Sequence, residues 1–451
     1  MVSVPQLLDG GRSPFVAATA FDLGAVDYLR AEYALSGRAV AYARTDGGVE
    51  STEEAEFTTR LLVHRPVDPA AFNGTVWIEW LNVSGGLDAA PVWIYAHTEL
   101  LRTGAVWVGV SAQEIGVQGG TGLLGLPSRG LVGIDPERYG GLHHPGDRFS
   151  YDIYTQATSA VRRAVGTVLE GLDIRQVLAA GESQSAFRLT TYANDIDPVA
   201  RIHDGFLVHA RGKSAASLDD LSGPTRAVEG DPVLFRDDLR VPVLCVESEG
   251  DLMVLGYREA RQTDGPRLAV WEIAGAAHAD MYTFAGGPVD TGRLPLAQLA
   301  ATWVPVREVY GMQVDQLINA GPQHYVVNAA VRHLERWARL GTRPPAAPRL
   351  EVLGGGLATD GLGNARGGIR TPHVDVPTAV LSGTGNSGHP VAFLCGRTVP
   401  FDAATLARLY PSSADYLRRF GAATDGAVAA GFVLADDADE IKGIAALNSP
   451  L

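Results

Sequence analysis

The stretch Val177–Ala193, VLAAGESQSAFRLTTYA, decides the fold. It opens on an apolar run of strand length, turns through Gly181-Glu182-Ser183-Gln184-Ser185, and continues at once in a helical pattern. A strand, a sharp turn and a helix in immediate succession lift the central side chain above the end of a sheet. The helix then points its first N–H groups at the same place. The flanking positions must be small, because strand and helix backbones nearly touch there. Gly181 meets that need, and Ser185, small but not glycine, stands where a second glycine is usual. Ser183 is thus either a nucleophile or an ordinary serine at a strand-to-helix turn, and the surrounding chain must decide between them.

Outward from this turn, strands and helices alternate. Residues 28–65 predict two antiparallel strands joined by a polar loop. GTVWIEWLNV (74–83), AVWVGVSAQ (105–113), HDGFLVH (203–209), VPVLCVES (241–248) and RLAVWEIAG (267–275) read as strands buried on both faces. Helical spacing runs over 92–104, 150–172 and 324–341. The alternation predicts an α/β fold with a mostly parallel central sheet, antiparallel N-terminal strands and helices on both faces. Residues 210–240 and 283–321 are too long for simple connections and are expected to be lid-like insertions. TRPPAAP (342–348) marks a boundary, so the expected division is a core over 1–341 and a C-terminal α+β extension over 342–451.

The order of polar residues after Ser183 favours the nucleophile. A serine elbow on such a sheet is followed in sequence by an acid and then a histidine. VPVLCVESEGDLMV spills carboxylates beyond a strand end, and Asp251 is the preferred acid, with Glu247 and Glu249 as competitors. One helix and one strand later, a Gly/Ala turn presents His278. In this arrangement His278 would take the Ser183 proton, and Asp251 would hold the imidazole's tautomer. An oxyanion would need two donors. Gln184 N–H is one, and the second is expected from Val83 or Ser84 in WLNVSGGLDAAP (80–91), where Gly85 and Gly86 let backbone approach a substrate. Asn82, Gly85, Glu182, His144, His209 and Glu249 are expected around the pocket.

Composition sets the outer bounds. The 451 residues are 46% hydrophobic and carry a formal net charge of −14, which excludes a nucleic-acid partner. Lysine occurs only at 213 and 442, leaving little scope for Schiff-base chemistry. Cys245 and Cys395 sit in apolar contexts and read as buried thiols. The N-terminus lacks a signal-peptide pattern and no apolar run is long enough for a membrane span, so a soluble, cytoplasmic protein without membrane partners is expected. The G-x-G-x-x-G match at 120–125 lies too far beyond its strand for a dinucleotide site, and His143, His144, Asp147 and Asp152 fit no metal spacing. No cofactor or metal is expected.

These features resemble the α/β-hydrolase superfamily. More narrowly, EWLNVSGGLDAAP (79–91), DPERYGGLHHPGDRFSYDI (135–153), GESQSA (181–186), ESEGDL (247–252) and GNARGGIRTPHVDVP (363–377) are similar to a bacterial family of large α/β-hydrolase-domain proteins. The resemblance spans most of the chain and implies serine esterase-like chemistry on a small-molecule ester. Two other readings stand beside it: an acyltransferase or amidase using the same three residues, and a non-catalytic binding protein on a hydrolase scaffold.

Overall fold

The computed structural model describes every residue except 1, 13, 123, 124, 126, 165, 166, 168, 219–229 and 451. Two residues of the 120–125 pattern and eleven of the 210–240 insertion therefore lie outside the described residues.

Nine strands form one sheet: β1 (Gln6–Leu7), β2 (Tyr28–Thr45), β3 (Gly48–Pro66), β4 (Thr75–Trp80), β5 (Val106–Val110), β6 (Gln176–Glu182), β7 (Gly205–His209), β8 (Val243–Ser248) and β9 (Leu268–Ile273). Their order across the sheet is β1-β2-β3-β5-β4-β6-β7-β8-β9. The first pairings, through β3 with β5, are antiparallel. From β5 to β9 every pairing is parallel. The carboxyl ends of β4, β6, β8 and β9 consequently open on one rim, the side on which open α/β sheets carry their sites.

Alternation along each strand divides the core. Trp77, Leu178, Leu207, Leu244 and Trp271 face one apolar cluster. Their neighbours Ile78, Ala179, Phe206, Cys245 and Val270 face the other. Period-two alternation with apolar residues on both faces is what a sheet covered on both sides requires. Helices α1 (Pro91–Thr103) and α5 (Gln323–Leu340) supply buried side chains to the first cluster. Helices α2 (Ser150–Arg163) and α3 (Gln184–Thr191) supply the second. Cys245 and Cys395 are both buried and free.

Helix α2 is shorter than its periodicity predicts. It stops at Arg163, where Ala164 turns left-handed (φ 55°) and its N–H bonds the Ala160 and Val161 carbonyls. A left-handed cap of this kind ends a helix, and the helical pattern beyond it is not continued by α2. The C-terminal region shares the first core cluster. Tyr416 and Phe420 of α6 (Ser413–Ala429) and Ile441 and Ile444 of α7 (Ala438–Leu447) pack in the same cluster as Trp271. Its backbone also covers the sheet's last edge: Ile369 N–H donates to Glu272 O (2.6 Å), and Ala274 N–H to Ile369 O (3.0 Å). Covering an edge strand removes a template for unwanted pairing.

Candidate active site

Ser183 joins β6 directly to α3 and holds φ 57°, ψ −121°, a conformation a non-glycine residue adopts only under strain. Its N–H donates to His209 O on the adjacent strand (3.0 Å), which pins the turn to the sheet. The crowding expected there is present. A Cβ on Gly181 would meet the Ser185 carbonyl oxygen and Leu189 Cδ1, each at 3.0 Å. Ser185 is fully buried and its hydroxyl has no partner among the described residues. Size, not hydrogen bonding, is what suits serine to that position.

The acid and the histidine come from the next rim positions. Helix α4 (Glu249–Met253) starts immediately after β8, with Ser248 as its N-cap. Asp251 completes a capping box: its Oδ2 accepts Ser248 N–H (2.6 Å), and its own N–H donates to Ser248 Oγ (3.2 Å). The cap fixes the carboxylate, whose Oδ1 lies 2.6 Å from His278 Nδ1. The His278 loop is held from behind. Tyr95 OH donates to His278 O (3.2 Å), and Gln323 Nε2 donates to Ala277 O (2.6 Å).

The other imidazole nitrogen, Nε2, stands 3.4 Å from Glu182 Oε1. Burial works against charging His278, but the Asp251 and Glu182 carboxylates outweigh it and lift the imidazole to about 9. Glu182 is itself pushed up to about 7 by burial, with His278 pulling it down and Asp251 pushing it up. Glu182 therefore takes part in the electrostatics of the imidazole.

The two competing acids have other duties. Glu249 accepts Gly275 N–H (2.6 Å) and Gly383 N–H (2.8 Å), tying the loop after β9 to the C-terminal region. Glu247 accepts from Cys245 Sγ (2.9 Å). Of the three carboxylates, Asp251 alone is within hydrogen-bond distance of His278.

The loop after β4 is anchored at both ends. Glu79 Oε1 and Oε2 accept the Val92 and Trp93 N–H groups (2.9 Å each), and Oε2 also accepts Trp107 Nε1 (2.8 Å). This seats the start of α1 on the sheet. Asn82 Nδ2 donates to Glu182 O (3.0 Å), linking the loop to the elbow, while Asn82 Oδ1 accepts Ser84 N–H (2.7 Å). That second bond engages the Ser84 amide, whereas Ser84 and not Val83 is among the residues lining the chamber over Ser183 and His278, so both remain candidates for the loop's donor. Gln184 is the first residue of α3, where an N–H has no intrahelical partner.

A chamber of about 790 Å³ opens over Ser183 and His278. Asn82, Ser84 and Glu182 also line it, and no lysine or arginine among the described residues does. The remaining wall is mostly apolar: Ala17, Ala18 and Ala20 near the N-terminus, Pro91 and Ile94 of α1, Phe187 of α3, Val254 and Leu255 after α4, Phe284 and Tyr310 from the 283–321 segment, and Phe393 and Leu394 from the C-terminal region contribute to it. Among the described residues, the 283–321 insertion contributes to this wall and the 210–240 insertion does not. His144, His209, Gly85 and Glu249 also stand outside it. His144 is buried against Ala112 O (2.9 Å) and caps the turn to Gly146. His209 is fully buried behind the elbow, with its ring edge-on to Tyr95 (5.1 Å). Arg366 and Arg370 pair with Glu351 and with Asp360 and Asp375, and do not reach the chamber.

The sequence points to the C-terminal region as part of the pocket but not to 390–395 in particular, and it gives no sign of the wall at 17–20 or of the supports Tyr95 and Gln323. None carries a motif. Tyr95 and Gln323 look like ordinary helix residues until the fold brings them beneath the His278 loop.

No curated protein matches the chain by sequence. Among solved structures it is similar to an esterase from the fungus Rhizomucor miehei, at 14% identity over 57% of this chain and 78% of that one (TM-score 0.29). It is similar to S-formylglutathione hydrolase from Agrobacterium tumefaciens, at 14% identity over 59% and 90% (TM-score 0.29). It is also similar to Est1E from Butyrivibrio proteoclasticus, at 12% identity over 52% and 88% (TM-score 0.26). The sequence profile of a family described as an alpha/beta hydrolase domain matches residues 2–443. The chain belongs to that α/β-hydrolase domain family.

Proposed function

We propose that the protein is a serine hydrolase that cleaves neutral carboxylic esters carrying a bulky apolar group. The observation that carries this reading is the Asp251 Oδ1–His278 Nδ1 contact of 2.6 Å, on a rim where Ser183, at φ 57°, and His278 line one chamber. Ser183 Oγ attacks the ester carbonyl carbon as its proton passes to His278 Nε2. Asp251 keeps Nδ1 protonated and stabilises the imidazolium. The tetrahedral oxyanion collects hydrogen bonds from Gln184 N–H and from the Val83 segment, whose position Asn82 maintains. Collapse breaks the C–O bond, and the departing alkoxide takes the proton from Nε2. Water then attacks the acyl carbon, gives its proton to Nε2, and the acid leaves as Ser183 Oγ is reprotonated.

The chamber supports the substrate class. Among the described residues its wall holds no lysine or arginine to meet an anionic substrate, and Glu182 disfavours one further. Incubation with a fluorophosphonate, followed by peptide mass spectrometry, tests the assignment. Labelling at Ser183, absent in Ser183→Ala, together with p-nitrophenyl hexanoate hydrolysis by the parent chain, is the expected result. Folded protein that neither labels nor hydrolyses would overturn it.

A further inference from the structure

The Ser183 chamber holds an open hydrogen-bond acceptor that the hydrolytic steps do not use. Most polar side chains on its wall are already engaged. Asn82 bonds Glu182 O and the Ser84 N–H. Thr283 Oγ1 bonds Tyr95 OH and Asp280 Oδ1. Tyr310 OH donates to Phe284 O (2.8 Å). Glu182 differs. It lines the chamber, and its carboxylate accepts no hydrogen bond among the described residues. Neither of its oxygens is wholly enclosed, whereas the partnerless Ser84 hydroxyl is. The carboxylate is therefore open to whatever occupies the chamber.

Its place fixes what it can recognise. Glu182 Oε1 lies 3.4 Å from His278 Nε2, the atom that hands a proton to the departing alcohol oxygen. A hydroxyl on the carbon next to the one bearing that oxygen lies within hydrogen-bond distance of it in the gauche form. A donor so placed reaches Glu182 while the leaving oxygen faces Nε2. An ionised carboxylate only accepts, and an O–H bond to it is charge-assisted. A substrate without such a donor strips water from the carboxylate and returns nothing. An anionic group would be repelled by Glu182. An ammonium would satisfy Glu182, but His278 becomes cationic as it takes the serine's proton. A second cation beside it would be repelled as that charge develops. A neutral hydroxyl meets both conditions.

We propose that Glu182 selects the alcohol side of the ester, and that the preferred substrates are monoesters of vicinal diols whose free hydroxyl donates to the Glu182 carboxylate. The proposal rests on the Ser183 hydrolase reading and narrows it. The bond between acyl carbon and leaving oxygen breaks, that oxygen takes the proton from Nε2, and the diol departs with its second hydroxyl unchanged. Glu182 gains no proton. The test compares 2-hydroxyethyl, 2-methoxyethyl and propyl hexanoate by hexanoate release from the full chain. The methoxy ester keeps the inductive pull of the oxygen and lacks the donor, and the propyl ester replaces the hydroxyl by a methyl group. The hydroxyethyl ester is expected to exceed both in kcat/KM by about tenfold or more. Glu182→Met removes the acceptor and keeps the side chain's length. Whatever that variant's overall rate, the advantage of the hydroxyethyl over the methoxyethyl ester should fall to about twofold or less. Should the variant fail to fold, the esters on the parent chain still decide. A hydroxyethyl ester hydrolysed no faster than the methoxyethyl ester, or an advantage that persists in Glu182→Met, would overturn the proposal and leave the hydrolase reading standing. A folded chain that hydrolyses none of these esters would overturn both.

Discussion

Glu182 Oε1 stands 3.4 Å from His278 Nε2 while Asp251 Oδ1 stands 2.6 Å from Nδ1, so the imidazole lies between two carboxylates. The arrangement holds a proton on the ring. With the imidazole lifted to about 9, most of it is charged at neutral pH and unable to accept the serine's proton. Activity should therefore rise as the ring loses its proton, and kcat/KM should climb from neutral pH to a plateau near or above pH 9. Replacing Glu182 by Gln removes one of the two carboxylates that favour the charged ring. Its limb should move toward lower pH by about one unit, the usual effect of losing a close opposite charge. The profile reports the coupled pair and not either residue alone. A limb unmoved in Glu182→Gln, measured with p-nitrophenyl esters from pH 5 to 10, would show that the contact has no electrostatic consequence.

The strain at Ser183 yields a second expectation that separates stability from chemistry. A residue with a Cβ at φ 57°, ψ −121° costs on the order of 1–3 kcal/mol, and glycine adopts the same angles freely. Ser183→Gly should be inactive yet more stable, by roughly 1 kcal/mol in chemical denaturation. Ser183→Ala should be equally inactive without that gain, since alanine keeps the Cβ. Equal denaturation midpoints for the two variants would mean that the turn stores no strain.

Substitutions in the carboxylate group divide roles. Asp251→Asn should lower kcat by ~10³–10⁴, because the amide cannot hold the reactive tautomer. Circular dichroism is needed alongside, since Asp251 also caps α4. Glu249→Gln should keep turnover within about tenfold of the parent while losing on the order of 1–3 kcal/mol of stability, as an amide replaces a buried carboxylate that accepts two backbone N–H groups. Turnover that survives Asp251→Asn and collapses in Glu249→Gln would reverse the assignment.

The positions of these residues also show what a linear sequence discloses. Ser183, Asp251 and His278 each follow a strand of near-continuous apolar residues, so the pattern that marks the strand also marks its end. The sheet's strand-by-strand alternation is legible for the same reason. Ala164 ends α2 with a left-handed cap, a conformation usually marked by glycine, and alanine at that position in TSAVRRAVGTVLEGL does not announce it. The bond from the Ser84 amide to Asn82 Oδ1 is not legible either, because sequence shows Asn82's location and not its side-chain partners. The chamber walls at 17–20 and 390–395 come from opposite ends of the chain. Such convergence depends on how the terminal segments fold over the rim, and residue spacing does not encode it.

Asn82 links the loop after β4 to the elbow through Glu182 O and holds the Ser84 amide. Asn82→Ala would release both bonds. If the Val83 segment supplies the second oxyanion donor, the loss should appear mainly in kcat, by ~10²-fold, with KM changed little. A fall in affinity alone would instead make Asn82 a wall residue. Ser84→Ala, which removes a buried hydroxyl with no partner and leaves the engaged amide, should retain near-parent kcat.

Selectivity follows from the chamber's chemistry. Phe187, Phe284, Phe393 and Leu394 present apolar surface, and the polar groups converge at one end, around Ser183, His278, Glu182 and Asn82. A neutral acyl chain gains about 0.8 kcal/mol per buried methylene, up to the length that the walls accommodate. kcat/KM for p-nitrophenyl esters should therefore rise several-fold per added methylene from acetate through hexanoate. A hemisuccinate of similar length should be disfavoured by ~10²-fold or more, because its carboxylate would be desolvated beside Glu182 with no cation to compensate. Leu394→Arg would place a positive charge on the wall. It should narrow the gap between hexanoate and hemisuccinate from both sides, lowering the first and raising the second. A parent enzyme that turns over the hemisuccinate as well as the hexanoate would contradict a chamber built for neutral, apolar esters.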